Sequence, residues 1–463
     1  MRPEAIHQSI KRAQKVNKEK RGSEKLSWWQ LSLIGIGSII GAGFFLGTGV
    51  SVRLAGESIL LSYLIGGITV FIVFRALAQM SIHAPQSGAF RAYARFAFGP
   101  DVGFLSGWVY WIAGVLIMSS EVTAISVFTR YWFPWIPLWI FAVLYSALAL
   151  GINLMGVKNF GRIESSFAII KLGTLLLFIL FGFLILLGLI PPTLSRLDHL
   201  TFSFQWNDWF PNGFRGVWSS LLFVLFSYGG VEVLGIAAAE LKKREDLMRA
   251  GRATLSSLTL LYILALYFVL LMTPWQSISP AKSPFVTALA AFQIPYLDSF
   301  FNFIIITAAF SIMVATLFSI SRIMVSLAQD GDAPPKLAHI NSRGIAIYAL
   351  LLSATGLALT ILLSFFLPAR LYELVTSSAG VLLILNWILI LSSHIRLAKN
   401  WGLTGSPYLS YGGILLILVA LSGTLNDPTQ RIGLIISLAL FGGISFGSIF
   451  IRRPKGGFLP ETE

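Results

Sequence analysis

Apolar runs of about twenty residues, the length at which one helix crosses the hydrocarbon of a bilayer, recur along the whole chain. Twelve can be placed, near residues 29–50, 57–80, 103–130, 137–156, 164–189, 214–240, 253–273, 298–327, 346–367, 371–394, 408–424 and 431–451. In hydrocarbon each backbone N–H and C=O must find a partner within the protein, so runs of this length read as helices. The expected fold class is all-α integral membrane, with twelve transmembrane helices in one domain over 28–451. A basic tail, 1–27, precedes it and a short tail, 452–463, follows. Charged residues are 12% of the chain, about half the roughly 25% of soluble domains. There is no cysteine, so a disulfide or thiolate metal site is excluded.

The net charge of +14 raises the question of nucleic acid. Its distribution answers it. With the N-terminus inside, the outer loops hold only Arg53, Arg130, Arg196, Lys282, Arg370 and Arg431, and almost all other basic residues fall in inner segments. That is the positive-inside pattern of a membrane protein. An even number of spans puts both termini in the cytoplasm. The expected partner surface is membrane lipid, and no nucleic acid is expected. Oligomeric state is not legible.

The first span holds the loosest backbone in the chain. "GIGSIIGAGFFLGTG", Gly35 to Gly49, has six glycines in fifteen residues. Glycine weakens a helix by about 0.8–1 kcal/mol per residue relative to alanine. The sixth span carries a similar interruption, "FVLFSYGGVEVLGIAAAE", with Gly229 and Gly230 at its middle. Two broken helices five spans apart are what an inverted five-plus-five repeat brings together at the membrane midplane. Opened N–H groups there bind a carboxylate and opened C=O groups an ammonium. A zwitterionic amino acid needs both.

Six motifs in order resemble one family. They are "GSIIGAGFFLGTG" (37–49), "RALAQMSIHAPQSGAFRAYARFAFGP" (75–100), "GWVYWIAGVLIMSSEVTA" (107–124), "GRIESSFAIIKLG" (161–173), "FSYGGVEVLGIAAAE" (226–240) and "SRIMVSLAQDGDAPPKLAHINSRG" (321–344). They are similar to the amino acid transporter family of the amino acid–polyamine–organocation superfamily, bacterial permeases. The resemblance implies a leucine-transporter-type fold, with inverted repeats at about 28–190 and 214–395 and two further spans. It also implies a cell-membrane permease, not an enzyme, importing an amino acid on the proton gradient without a cofactor. The chain departs from the family at Ala78-Gln79, where Gly-Glu is usual, and after Glu240, where the usual prolines are missing.

Ionisable residues within spans are expensive and usually face a bundle interior or water. Glu121, Lys171 and Glu232 are the three placed well inside. The resemblance implies that Lys171 is a built-in replacement for a sodium ion, with Ser311 or Thr316 as its hydroxyl partner. It implies that Glu232 links the substrate site to an inner proton path. Glu121 shares a helix face with Gly114 and Met118. These three acid and base groups are the candidates for proton coupling. Arg322 and Asp330 read as a span terminus and its loop. The five histidines show no ligand spacing, and no metal is expected.

The expected substrate site is Ile39, Gly41, Ala42, Gly43, Gly114, Met118, Phe226, Ser227 and Gly229. Gly41, Ala42 and Gly43 are expected to leave the helix and offer N–H groups to the substrate carboxylate. Carbonyls near Ile39, Phe226 and Ser227 would take its ammonium. Phe226 is placed to cover the substrate from outside. The other pocket candidates, including Ile117 and Val231, are small or apolar, which favours a neutral amino acid with an aliphatic or aromatic side chain. Exchange of two amino acids and transporter-like sensing are the alternative functions.

Overall fold

The computed structural model describes residues 26–86, 88–155, 157–190, 209–236, 241–342, 344–366, 370–403 and 407–451. Most of both expected tails, 1–25 and 452–463, lies outside the described residues. The first span comprises α1 (Trp28–Ile39), α2 (Ala42–Phe45) and α3 (Gly47–Ala55). Then come α4 (Ile59–His83), the short α5 (Ala89–Phe98), α6 (Pro100–Thr129), α7 (Leu138–Leu154) and α8 (Val157–Leu186). The second half has α9 (Gly213–Phe226), α10 (Glu232–Ile236), α11 (Asp246–Met272), α12 (Pro284–Ala290), α13 (Leu297–Gln329), α14 (Ile347–Phe366), α15 (Leu371–Trp401), α16 (Tyr408–Gly423) and α17 (Pro428–Ile451). Among the described residues, nine helical stretches are long and apolar enough to cross a membrane, and α7 and α9 are shorter apolar helices.

The helices sort their faces as a bilayer requires. On α14, Ala349, Ser353, Leu357, Thr360 and Ser364 recur every three or four residues and are buried. Leu351, Leu359, Leu362 and Phe366 on the same helix are exposed. Lipid tails are as apolar as leucine, so burial alone does not hold such helices together. Small residues that permit close approach and polar contacts between helices do. Ser119 of α6 and Thr360 of α14 share a hydrogen bond of 2.5 Å, a class of contact worth about 0.6–2 kcal/mol in membranes. The same pattern holds α16, where Ser410, Gly413, Ile417 and Ala420 face the bundle.

α6, α13 and α15 form the centre, with α6 packed against both others. An aromatic cluster anchors the four-residue α2 beside them. The Phe44 ring stacks on Tyr262 of α11 at 3.7 Å, with Tyr63 of α4 and Phe285 of α12 around it. At the end of α13, Asp330 and Asp332 pair with Arg91 and Arg95 of α5. Arg322 donates to the Gly344 carbonyl. Arg322 and Asp330 thus sit in contacts at the end of the span and in its loop, where the sequence places them.

Both departures from the family motifs are occupied by contacts. The Gln79 amide oxygen faces Nε2 of the buried His394 at 2.7 Å, and Ser410 Oγ lies 2.9 Å from its Nδ1. This ties α4, α15 and α16 together. In the segment after residue 240, the Lys242 N–H donates to the Leu26 carbonyl, and the Arg249 guanidinium lies 4.2 Å over the Trp28 ring. The segment is clamped to the start of α1.

Candidate functional site

Both expected interruptions are present and lie side by side. In the first span, α1 ends at Ile39, Ile40 and Gly41 are extended, and helix resumes at Ala42. The opening therefore falls slightly earlier than expected: Gly41 is non-helical, but Ala42 and Gly43 already belong to α2. Two extended residues suffice to change direction, and resuming helix at once limits the number of unsatisfied backbone groups. In the sixth span, α9 ends at Phe226 and α10 begins at Glu232. Between them Gly230 has φ +103°, a left-handed-side conformation in which a side chain is strained. A Cβ there would also lie 2.4 Å from the Ser38 carbonyl oxygen of α1. The two breaks thus touch backbone to backbone. At Gly43 a Cβ would meet the Phe226 ring at 3.1 Å and Ser227 Cα at 3.4 Å.

These segments enclose a cavity of about 60 Å³. Of the expected substrate residues, Ile39, Gly43, Gly114, Phe226, Ser227 and Gly229 line it, as do Glu121 and Glu232. Gly41 and Ala42 do not line it; the Ala42 N–H is bonded to Glu121, which does. Met118 is fully buried but does not line the cavity; Ile117 does. The lining face of α6 is Tyr110, Gly114, Ile117 and Glu121, one residue away from the Gly114–Met118–Glu121 face expected. Both spacings lie on one side of a helix, and only packing chooses between them.

The buried ionisable groups are each engaged. Glu121 Oε2 accepts from the Ala42 N–H at 3.1 Å, so an amide expected to take a substrate carboxylate is holding a carboxylate of the protein. Lys171 is fully buried and its Nζ donates to the Gly37 carbonyl at 2.7 Å. That carbonyl lies in the last turn of α1, where the helix lacks partners for its own acceptors. The Ser311 hydroxyl is buried without a hydrogen-bond partner among the described residues, and Thr316 lines the cavity. Glu232 is fully buried; Oε2 accepts from the Gly230 N–H at 3.0 Å and Oε1 from the indole N–H of Trp387. The Phe226 carbonyl, an expected ammonium acceptor, accepts from the Gly229 N–H at 2.9 Å.

Trp387, Tyr372 and Leu383, all on α15, are site residues that motif reading does not reveal. The Tyr372 hydroxyl donates to the Ala42 carbonyl at 3.0 Å, and Leu383 lines the cavity. A second cavity of about 480 Å³ lies on the α3 side of Tyr372, bordered by Leu46, Arg53, Arg130, Lys282 and Glu373. Arg53 and Glu373 form a salt bridge at its rim, 3.2 Å long and exposed on the arginine side. Tyr372 is thus shared between the wall of this wide cavity and the backbone of the narrow site.

The arrangement of paired helix breaks, an amide on a carboxylate and a buried lysine on a helix end agrees with what the chain is similar to. A sequence model described as amino acid permease matches residues 30–425. The chain is 38% identical over 432 residues to the uncharacterized transporter YcgH of Bacillus subtilis, covering 93% of this chain and 96% of that one. It is 33% identical to the uncharacterized amino acid permease YtnA of Bacillus subtilis, over 88% of this chain and 90% of the other. It is 32% identical to the aromatic amino acid transport protein AroP of Escherichia coli K12, over 80% of each. The chain belongs to the amino acid permease family, and it is a multi-pass membrane transporter rather than an enzyme.

Proposed function

We propose that the protein imports neutral amino acids with aliphatic or aromatic side chains by proton symport, through alternating access around the paired breaks of α1–α2 and α9–α10. The observation that carries this reading is the Ala42 N–H holding the Glu121 carboxylate beside the cavity. An amide that binds one carboxylate binds another. A substrate carboxylate takes this amide when Glu121 accepts a proton and withdraws, so one proton accompanies one substrate. The ammonium is met by carbonyls at the end of α1, near Ile39. Ile312, Ile320, Leu383 and Phe226 leave an apolar space for the side chain. The name of the AroP relative supports an aromatic substrate within this class. In this reading Phe226 and Tyr372 close the site from the wide cavity, and Lys171 holds α1 in place of a metal cation.

The reading includes twelve crossings in two inverted repeats. Ala42–His83 is a continuous apolar stretch of 42 residues, yet as one helix it would be about 60 Å long, twice the roughly 30 Å hydrocarbon core. A turn at Gly56 divides it into α3 and α4. Counting α1–α3 and α9–α10 as one broken span each gives twelve, with both termini cytoplasmic by the basic-residue bias. Reporter fusions at Glu463 and near Gln205 report opposite sides of the membrane; agreement between them contradicts the span count or the orientation.

Competition by all twenty amino acids against one labelled aromatic amino acid, in proteoliposomes, tests the function. Neutral aromatic and aliphatic competitors suppress uptake at least tenfold at saturation, while lysine and glutamate do not. Strong competition by a charged amino acid overturns the substrate class. Uptake that depends on an internal amino acid and not on protons identifies an exchanger, and binding without uptake identifies a sensor.

A further inference from the structure

The Glu232 carboxylate stands at the first residue of α10, with no exposure to solvent. One donor to it comes from its own segment, the Gly230 N–H. The other is the indole of Trp387, 155 residues away on α15 and also fully buried. Leu383, one turn before Trp387, lines the cavity, so this face of α15 is turned toward the break. An indole N–H donates and cannot accept. It can bond a carboxyl oxygen in either protonation state, more strongly when the group is ionised, and donors to the charged form favour that form.

We propose that Trp387 is a positioning residue for Glu232: its indole favours the ionised carboxylate, fixes it against α15, and so sets the pH range over which the transporter works. The proposal rests on the reading of Glu232 as a proton-coupling group. While ionised, the carboxylate bridges the start of α10 to α15 through a charge-assisted bond. A proton on Glu232 weakens that bond and frees α10, the short half of the broken helix, to move. Other ionisable groups near this unit are engaged differently. Glu121 and Tyr110 line the same cavity. α1 has none. Arg91 and Arg95 of α5 pair with Asp330 and Asp332. Arg249 of α11 lies over Trp28, and His394 of α15 faces Gln79 of α4.

The test is an infrared pH titration of the purified protein, following the carboxyl band that disappears in Glu232→Gln, beside the pH profile of uptake in proteoliposomes. In Trp387→Phe, which removes the donor and keeps an aromatic ring, the midpoint of the Glu232 band moves up by about one pH unit or more. The uptake profile moves in the same direction. Trp387→Phe adds no pH shift to a protein already carrying Glu232→Gln. An unchanged band, or an uptake shift that persists with Glu232→Gln, overturns the proposal. Should Trp387→Phe fail to fold, benzothienylalanine placed at position 387 by suppression keeps the ring shape and lacks only the N–H, and the same criteria apply. Wild-type protein that takes up no amino acid, with a Glu232 band that still moves in Trp387→Phe, contradicts the transport reading alone.

Discussion

Lys171→Ala abolishes uphill accumulation of substrate while exchange across the membrane continues. The wild-type ammonium is fully buried and bonded to the Gly37 carbonyl at the end of α1. A charge at mid-membrane costs about 2.5–3.5 kcal/mol, so it is retained only where partners offset that cost. Removing it leaves a buried carbonyl short of a donor, a change of about 1–3 kcal/mol. It also removes the one cation this account places between α1 and α8. Accumulation driven by an inward proton gradient falls at least tenfold. Counterflow, which needs only substrate binding and reorientation, falls much less. Lys171→Met retains most of the volume and behaves the same way, which separates lost charge from a packing defect. A Lys171→Ala protein that still accumulates substrate uphill places the coupling on the carboxylates alone, with Glu121 and Glu232 the next residues to change.

Gly230→Ala has an effect as large, for a different reason. Two independent penalties coincide. The backbone has φ +103°, where a non-glycine residue is strained by about 1–3 kcal/mol. The new methyl would also sit 2.4 Å from the Ser38 carbonyl oxygen, a backbone atom that cannot turn aside like a flexible side chain. Relief requires α1 and α10 to separate, and that separation opens the cavity between Ser38, Ile39 and Glu232. Uptake falls at least tenfold per molecule of protein in the membrane. Gly442→Ala in α17, where a Cβ meets nothing within 4 Å, leaves uptake unchanged and serves as the control. Full transport by Gly230→Ala contradicts the role given to this backbone contact.

The parts of this molecule that are legible in the sequence are those with a local cause. Runs of apolar residues place the helices because a bilayer sets their length. The glycines at 41, 43, 229 and 230 locate both breaks because no other residue permits such close approach. The limits are equally local. Which residues around Gly41 leave the helix depends on what packs there: Glu121 and Ile312 crowd Gly41, while α2 is pinned by Phe44 on Tyr262. Ile117 replaces Met118 at the cavity because α6 is rotated by its neighbours, and periodicity alone carries no such phase. The polar bonds of the site join distant residues: Glu121 to Ala42, Lys171 to Gly37, Tyr372 to Ala42 and Trp387 to Glu232. Lys171 draws notice in the sequence because it is a charge in an apolar run. Trp387 does not, because a tryptophan in "LLILNWILIL" looks like any other packing residue. Its partner is visible only once α15 lies against α10.

In the proposed cycle a proton gradient, not sodium, moves an amino acid through the paired breaks. Uptake of a labelled aromatic amino acid into proteoliposomes of the purified protein measures this directly, with an inward proton gradient and an inward sodium gradient imposed in turn. Accumulation above equilibrium is expected with the proton gradient, with collapse when a protonophore is added and no response to sodium. Uptake that requires sodium, or saturable binding with no accumulation under either gradient, would contradict it.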